Sequence, residues 1–247
     1  PKTPGLELRL ETLQKEIEAR PKHHPLADYG DRAREVLLLA RMGRIVFSRQ
    51  KGTVSNAADM TTPTVLITGF EPFDGMSENL SGTMIRHLES THFVIPHIDL
   101  RLAVLPVSYE KADARMLELL AEHRPHTVLA FGIGRSDPLI TIERIAINVD
   151  DAECCDNCGE ARSGTAIEQD GPAAYFSNVP VAEIRTALSD GGIPAAISNH
   201  AGAFLCNHLL YRLLHASETD GYPAPHASFT SQEFNGIATL AQDLSAL

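Results

Sequence analysis

The chain has 247 residues, 43% of them hydrophobic, and a formal net charge of −11 at pH 7. This length can bury a sizeable core as one α/β domain, alone or with an appendage. The acidic balance argues against a nucleic-acid or anionic-membrane partner, and no apolar run approaches the ~20 residues that span a bilayer. No secretory leader is apparent, and four cysteines, three of them in one loop, are not a disulfide scaffold. We therefore expect a cytoplasmic protein.

The first 59 residues differ from the rest in charge. They hold 11 Lys/Arg and 8 Asp/Glu, against 10 and 24 in residues 60–247. Their apolar residues predict two short amphipathic helices, at residues 6–17 and 31–47, before a polar linker at 48–63. Because the first strand pattern follows Met60, we expect a helical or disordered extension over 1–59 and one α/β domain over 60–247.

From residue 64 the pattern alternates between strands and helices. It predicts strands at 65–68, 100–107, 127–132, 140–149 and 195–198, and helices at 81–89, 109–123, 180–190 and 205–215. Such alternation is typical of right-handed βαβ units, which give a mostly parallel sheet covered on both faces. Active sites in these folds gather at the carboxyl ends of the strands. The loops after 65–68, 128–131 and 195–198 are therefore expected to share one edge.

One cysteine stands where the last of these strands gives way to a helix. The break falls at Ala201-Gly202, and Cys206 follows at the start of an apolar helix. Unpaired N–H groups at a helix N-terminus favour a thiolate and can hold an oxyanion. A buried structural cysteine is the alternative, since most cysteines in apolar helices are of that kind.

Three collinear stretches carry a resemblance to a known family. They are residues 65–73 (VLITGFEPF), 140–148 (ITIERIAIN) and 201–209 (AGAFLCNHL). Together they resemble the pyroglutamyl peptidase I family of cysteine exopeptidases. The resemblance implies a three-layer α/β/α fold of the phosphorylase/hydrolase type and release of N-terminal pyroglutamate through a thioester acyl-enzyme. It also implies no cofactor, peptides with N-terminal pyroglutamate as partners, and a homo-oligomer, which the family commonly forms.

The resemblance also assigns roles to single residues. Cys206 would be the nucleophile, and Glu143, in an otherwise apolar stretch, would orient the catalytic imidazole. Asn79 would pair with the lactam of the pyrrolidone ring. The apolar slot for that ring would include four residues: Phe70, Phe73, Phe204 and Leu205. Aromatic residues at strand ends are also common core residues, so a purely structural role is the alternative.

The sequence departs from the family at the catalytic base. The family carries a segment like Phe-Ile-His-x-Pro after the cysteine, and here the chain reads FTSQE from Phe229 onward. His226 is the nearest substitute, although it stands in a Pro-rich turn. His208 and His215 follow Cys206 on the predicted helix; His208 faces another side and His215 is over two turns away.

Three hypotheses about function stay open. The first is an active cysteine exopeptidase. The second is a catalytically inactive homologue that binds pyrrolidone-type ligands, because the histidine segment is missing. The third is a small-molecule hydrolase or phosphorylase on the same fold, which would need an anion site.

Two further patterns predict no site. Gly132-x-Gly134 lacks the third glycine of a dinucleotide-binding loop. The run from Cys154 to Cys158 contains C-x-x-C but has no second ligand pair at zinc spacing, so we expect no metal site.

Overall fold

A computed structural model describes residues 62–95, 97–134, 139–190 and 193–219, together with the backbone of residues 226–230. The helices predicted within 1–59 and the predicted domain start at Met60 lie outside these residues. The described elements are β1 (Thr64–Phe70), α1 (Leu80–Ser90), β2 (Asp99–Leu105), α2 (Tyr109–His123), β3 (Thr127–Gly132), β4 (Ile140–Glu143), β5 (Ile145–Ile147), β6 (Ala174–Phe176), α3 (Val181–Asp190), β7 (Ala195–Ser198), α4 (Leu205–Thr219) and β8 (His226–Thr230).

Six of the strands form one sheet, in the order β2-β1-β3-β8-β4-β7. Four of its five pairings are parallel, and β8 pairs with β4 in antiparallel fashion. The predicted α/β fold with a mostly parallel sheet is confirmed. The expectation that β7 ends at the same edge as β1 and β3 is wrong, because β4 and β7 run in the opposite direction.

Helices cover both faces of this sheet. Alternate residues of β1 point to opposite sides: Val65 and Ile67 pack with α1 and α3, whereas Leu66 packs with α2 and α4. The two apolar cores are continuous across neighbouring strands, and β3 is buried along its whole length. A strand between two helical layers has no polar face, which is why its sequence is a continuous apolar run. The predicted three-layer α/β/α arrangement is therefore observed.

The strand predicted at residues 140–149 is two strands that belong to different sheets. The Arg144 N–H donates to the Ser198 carbonyl of β7, while the Arg144 carbonyl accepts from the Ser177 N–H beyond β6. β5 then pairs antiparallel with β6 in a separate two-stranded sheet. One residue therefore transfers the chain from the main sheet to the small one, and the apolar alternation continues across the transfer.

The strand β8 joins the two directions of the main sheet. It is parallel to β3 on one side and antiparallel to β4 on the other. The sequence pattern does not predict β8 or β6, because their short sequences, HASFT and AYF, carry little periodicity. Within the described part of the chain, no helix has the length and apolar character needed to cross a bilayer.

Candidate active site

The centre of the candidate site is the contact between Cys206 and Gly132. α4 begins at Leu205, after a loop in which Gly202 has a φ of +78°. A Cβ atom placed on Gly132, the last residue of β3, would lie 2.5 Å from the Cys206 Sγ. Only a glycine permits such an approach. The thiol is thereby held against the backbone at the end of a central strand.

The Cys206 thiol is protonated at neutral pH in this environment. Burial, and after it the negative charge of Glu143, raise the pKa of Cys206 to about 12. Desolvation disfavours a thiolate, and a nearby carboxylate adds to that effect. The expectation that the start of a helix favours thiolate is therefore not met among the described groups: neither a cation nor an imidazole is among the causes that shift this pKa.

Glu143 lies on the same side of the sheet as α4. It is the last residue of β4, is 2% exposed, and is paired in register with Ser198 of β7 and Ser228 of β8. Its Oε1 accepts a hydrogen bond of 3.1 Å from the Thr141 hydroxyl. Ile142 packs in the core on the α1 and α3 side, so the period of two turns Glu143 toward α4. This burial is typical of an orienting carboxylate rather than of a surface one.

The four predicted slot residues come together beside the cysteine. Phe70 and Leu205 are buried in the core under α2 and α4, and Phe73, Phe204 and Cys206 pack against that core. The Phe73 and Phe204 ring centroids are 5.8 Å apart. Phe70 also lies close to Gly132. An apolar wall therefore adjoins the thiol.

Asn79 has a structural position in addition to its predicted role. It is 1% exposed and caps the N-terminus of α1, where its Oδ1 accepts from the Ser81 N–H and hydroxyl. Its Nδ2 donates to the Glu71 carbonyl at 3.0 Å, in the loop after β1. Asn79 thus fixes the loop that follows Phe70 and carries Phe73. Its contact with a lactam stays a prediction.

The structure does not bring His226 together with Cys206. In the β3–β8 register His226 is opposite Val128, whereas Thr230 is opposite Gly132. Four residues of strand correspond to about 13 Å along the sheet. The backbone of His226 therefore lies at the other end of β8 from the thiol, and we assign it no catalytic role.

The two histidines of α4 form contacts with residues other than Cys206. His215 Nδ1 lies 2.8 Å from the Tyr175 hydroxyl. His208 Nδ1 lies 2.8 Å from Asp150 Oδ2, and its Nε2 lies 3.2 Å from Asp113 Oδ1. Burial lowers the pKa of His208, but the hydrogen bonds and charges of the two aspartates outweigh this effect and raise the pKa to about 9. His208 is consequently an imidazolium that links α2 to the loop after β5.

Two residues outside the predicted site position the cysteine and the slot. Asn207 is fully buried, and its amide pairs with both the N–H and the carbonyl of Ile147 in β5, as a strand residue would. Asn157 donates from Nδ2 to the Pro72 carbonyl at 2.9 Å, and its N–H donates to the Val107 carbonyl. Asn207 therefore links α4 to β5, the strand that follows Glu143. Asn157 links the loop after β1, which contains Pro72 and Phe73, to the chain just beyond β2. Both are long-range contacts that no local sequence pattern predicts.

The cysteine-rich loop is organised around a carboxylate. Asp156 accepts backbone N–H bonds from Tyr109, Cys158 and Glu160, at 3.1, 2.8 and 2.9 Å. Its pKa is lowered, because these bonds outweigh the desolvation that raises it. Across the described residues, no three His, Cys, Asp or Glu side chains are grouped to hold a metal ion.

The sheet and its two helical layers define an α/β protein in which a half-buried thiol lies near a buried carboxylate. The chain also matches the family model "Pyroglutamyl peptidase" over residues 63–229. It belongs to the pyroglutamyl peptidase family, as the three motifs indicated.

Relatives of known name agree with this assignment. Pyrrolidone-carboxylate peptidase 1 of Photorhabdus laumondii is 43% identical over 152 residues, which are 62% of this chain and 68% of the relative. The pyrrolidone-carboxylate peptidase of Thermococcus litoralis is 40% identical over 159 residues, or 64% of this chain and 71% of the relative.

Solved structures give the same result. The pyrrolidone carboxyl peptidase of Thermococcus litoralis superimposes with a TM-score of 0.66 at 32% identity, covering 74% of this chain and 92% of that one. The enzyme from Fervidobacterium islandicum gives a TM-score of 0.67 at 30% identity, covering 74% and 95%.

Proposed function

We propose that this chain is a cysteine exopeptidase that removes pyroglutamate from the amino terminus of peptides. The observation that carries the proposal is the position of Cys206, whose Sγ lies against Gly132 next to the apolar wall, with Glu143 buried on the same side. A neutral pyrrolidone ring suits an apolar slot with few polar groups. The names of the related peptidases support the same substrate class.

In the proposed reaction, the Cys206 sulfur attacks the carbonyl carbon of the pyroglutamyl residue. A C–S bond forms, the C–N bond to the next residue breaks, and the thiol proton is transferred to the leaving amine. Water then hydrolyses the thioester and releases pyroglutamate. Both steps need a group that moves the proton, and the family segment would place a histidine two residues after Phe229, where this chain has Ser231.

A second candidate is a homologue that binds pyrrolidone-type ligands without turnover. It is favoured by the pKa of Cys206, which is raised to about 12, and by the serine at position 231. The slot residues are unaffected by the missing base, so binding would persist.

Hydrolysis of pyroglutamyl-naphthylamide by the wild type, Cys206→Ala and Ser231→His distinguishes these candidates. We expect a low rate in the wild type, above that of Cys206→Ala, and a gain of about 10²–10⁴-fold in Ser231→His, the usual contribution of a general base. Equal rates in all three, with pyroglutamate still bound in calorimetry, would favour the binding homologue. Neither binding nor hydrolysis would refute both.

The proposal also places the chain in the cytoplasm and in a homo-oligomer. Four free cysteines support a reducing compartment. The oligomeric state stays a prediction, which sedimentation of the full chain would test.

A further inference from the structure

A groove between α2 and α4 has no role in the proposed reaction. Apolar side chains form just over half of its lining: Met116, Leu117 and Leu120 of α2, and Leu209, Leu213 and Ala216 of α4. Polar and charged side chains also line it: Asp113, Glu168, Arg212, His215 and Thr219. Its cavity volume is about 230 Å³, below the roughly 300–1,000 Å³ of small-molecule sites. Leu117 stands at the groove and is 53% exposed. The size and lining suit a few aliphatic side chains of a polypeptide segment.

The chain before the described domain enters close to this groove. The Thr64 N–H donates to His126 Nδ1, and the His126 N–H donates to the Thr64 carbonyl, so β1 starts beside the end of α2. Leu117 is six residues before His123, the last residue of α2, or about 9 Å along the helix. The 14 residues 48–61 can span up to about 50 Å. Residues 31–47 can therefore reach the groove easily, at a small entropic cost.

The composition of residues 31–47 fits the groove. The sequence predicts an amphipathic helix there, with Leu39, Met42 and Val46 at helical spacing. This segment carries four arginines and two acidic residues, whereas α2 carries four acidic residues, two basic residues and a histidine. The opposite charge balances steer the two helices together. Residues 231–247 contain one Glu, one Asp and neither Lys nor Arg, so they lack this complementarity.

We propose that residues 31–47 dock as a helix in the groove between α2 and α4. The basic extension would then cover the exposed Leu117 and insert its aliphatic side chains between Met116 and Leu213. Helices in apolar grooves use side chains at i, i+3 and i+7 as anchors in this way. Because the segment is tethered, docking is intramolecular and does not depend on protein concentration.

Amide hydrogen exchange of the full chain tests this docking. We expect amides within residues 36–46 to exchange about tenfold or more slowly than in an unstructured peptide, because docking removes them from solvent. Leu117→Glu should abolish this protection, since a carboxylate would enter the apolar groove. Val94→Glu is the matched control: Val94 is 75% exposed in the loop after α1, so protection should be unchanged.

Three results would overturn the proposal. The first is coil-like exchange of residues 36–46 in the wild type, and the second is protection that survives Leu117→Glu. The third is protection that increases with protein concentration, which would assign the groove to a second copy. Hydrolytic activity enters none of these readouts, so failure here is distinguishable from failure of the proposed peptidase function.

Discussion

The protonated state of Cys206 leads to a quantitative prediction about its reactivity. Burial and Glu143 raise its pKa to about 12, against about 8.5 for a free thiol. At pH 7 the thiolate fraction would be lower by more than 10³-fold. Because a thiolate of higher pKa is also a better nucleophile, the rate of alkylation would fall less, by about 10²-fold.

Iodoacetamide labelling across pH 6 to 11, followed by peptide mass spectrometry, measures the alkylation rate of each cysteine separately. We expect the labelling rate of Cys206 to keep rising at the highest pH, while exposed Cys158 serves as the internal control. Glu143→Gln removes the negative charge and should lower the pKa of Cys206, although burial keeps it above the free value. Glu89→Gln, at an exposed position of α1, should change nothing.

A midpoint for Cys206 well below ~8.5 would refute this reasoning, since a nearby cation or the N-terminus of α4 would then outweigh burial and the charge of Glu143. Slower labelling in Glu143→Gln would contradict it in a different way. It would mean that Glu143 orients an imidazolium next to the thiol rather than repelling the thiolate.

Three other substitutions test the packing around the site. Gly132→Ala should lower the free energy of unfolding by about 1–3 kcal/mol, because the new Cβ would lie 2.5 Å from the Cys206 Sγ and force the thiol to move. Urea denaturation measures this loss. Asn207→Ala should cost about 1–3 kcal/mol in the same assay, since it leaves the half-buried N–H of Ile147 without this partner, while the Ile147 carbonyl still accepts from the Val149 N–H. His208→Gln should remove a pH-dependent stabilisation. With the pKa of His208 raised from 6.5 to about 9, that stabilisation is complete below pH 6.5 and is lost as the pH rises through 9.

Each of these predictions has a result that would contradict it. A Gly132→Ala protein as stable as the wild type would show that the thiol is not confined by β3. Wild-type stability in Asn207→Ala would mean that water replaces the amide. For His208, the stability difference between wild type and variant should shrink from pH 6 to pH 9.5; a difference that stays constant would exclude an imidazolium between the two aspartates.

The sequence predicts this fold well where local pattern and tertiary role coincide. The strand β3 and the helix α2 have the bounds that the sequence predicted. Burial on both faces of a strand, or on one face of a helix, gives each element its own hydrophobic periodicity. The transfer at Arg144 was missed because β4 and β5 share one continuous alternation. The reversed direction of β7 was missed because strand direction is set by pairing across the sheet.

Some residues of the candidate site could be predicted from the sequence, and others could not. The resemblance named Cys206 and Glu143, and the structure places both on the α4 side of the sheet. The state of the thiol was expected wrongly, because the helix terminus was considered without the burial that outweighs it. Asn157 and Asn207 contact residues 60 or more positions away in the sequence, so only the folded chain identifies them.

The central place of β8 has a consequence for the synthesis of the protein. On the ribosome, β1, β3 and β4 emerge long before residues 226–230, yet β3 and β4 each need β8 as a neighbour. Until then a nascent chain carries two unpaired strand edges lined by buried apolar residues, which is the kind of surface that recruits chaperones or aggregates. Translation that stops shortly before residue 226 should therefore give an insoluble product rather than a smaller folded one.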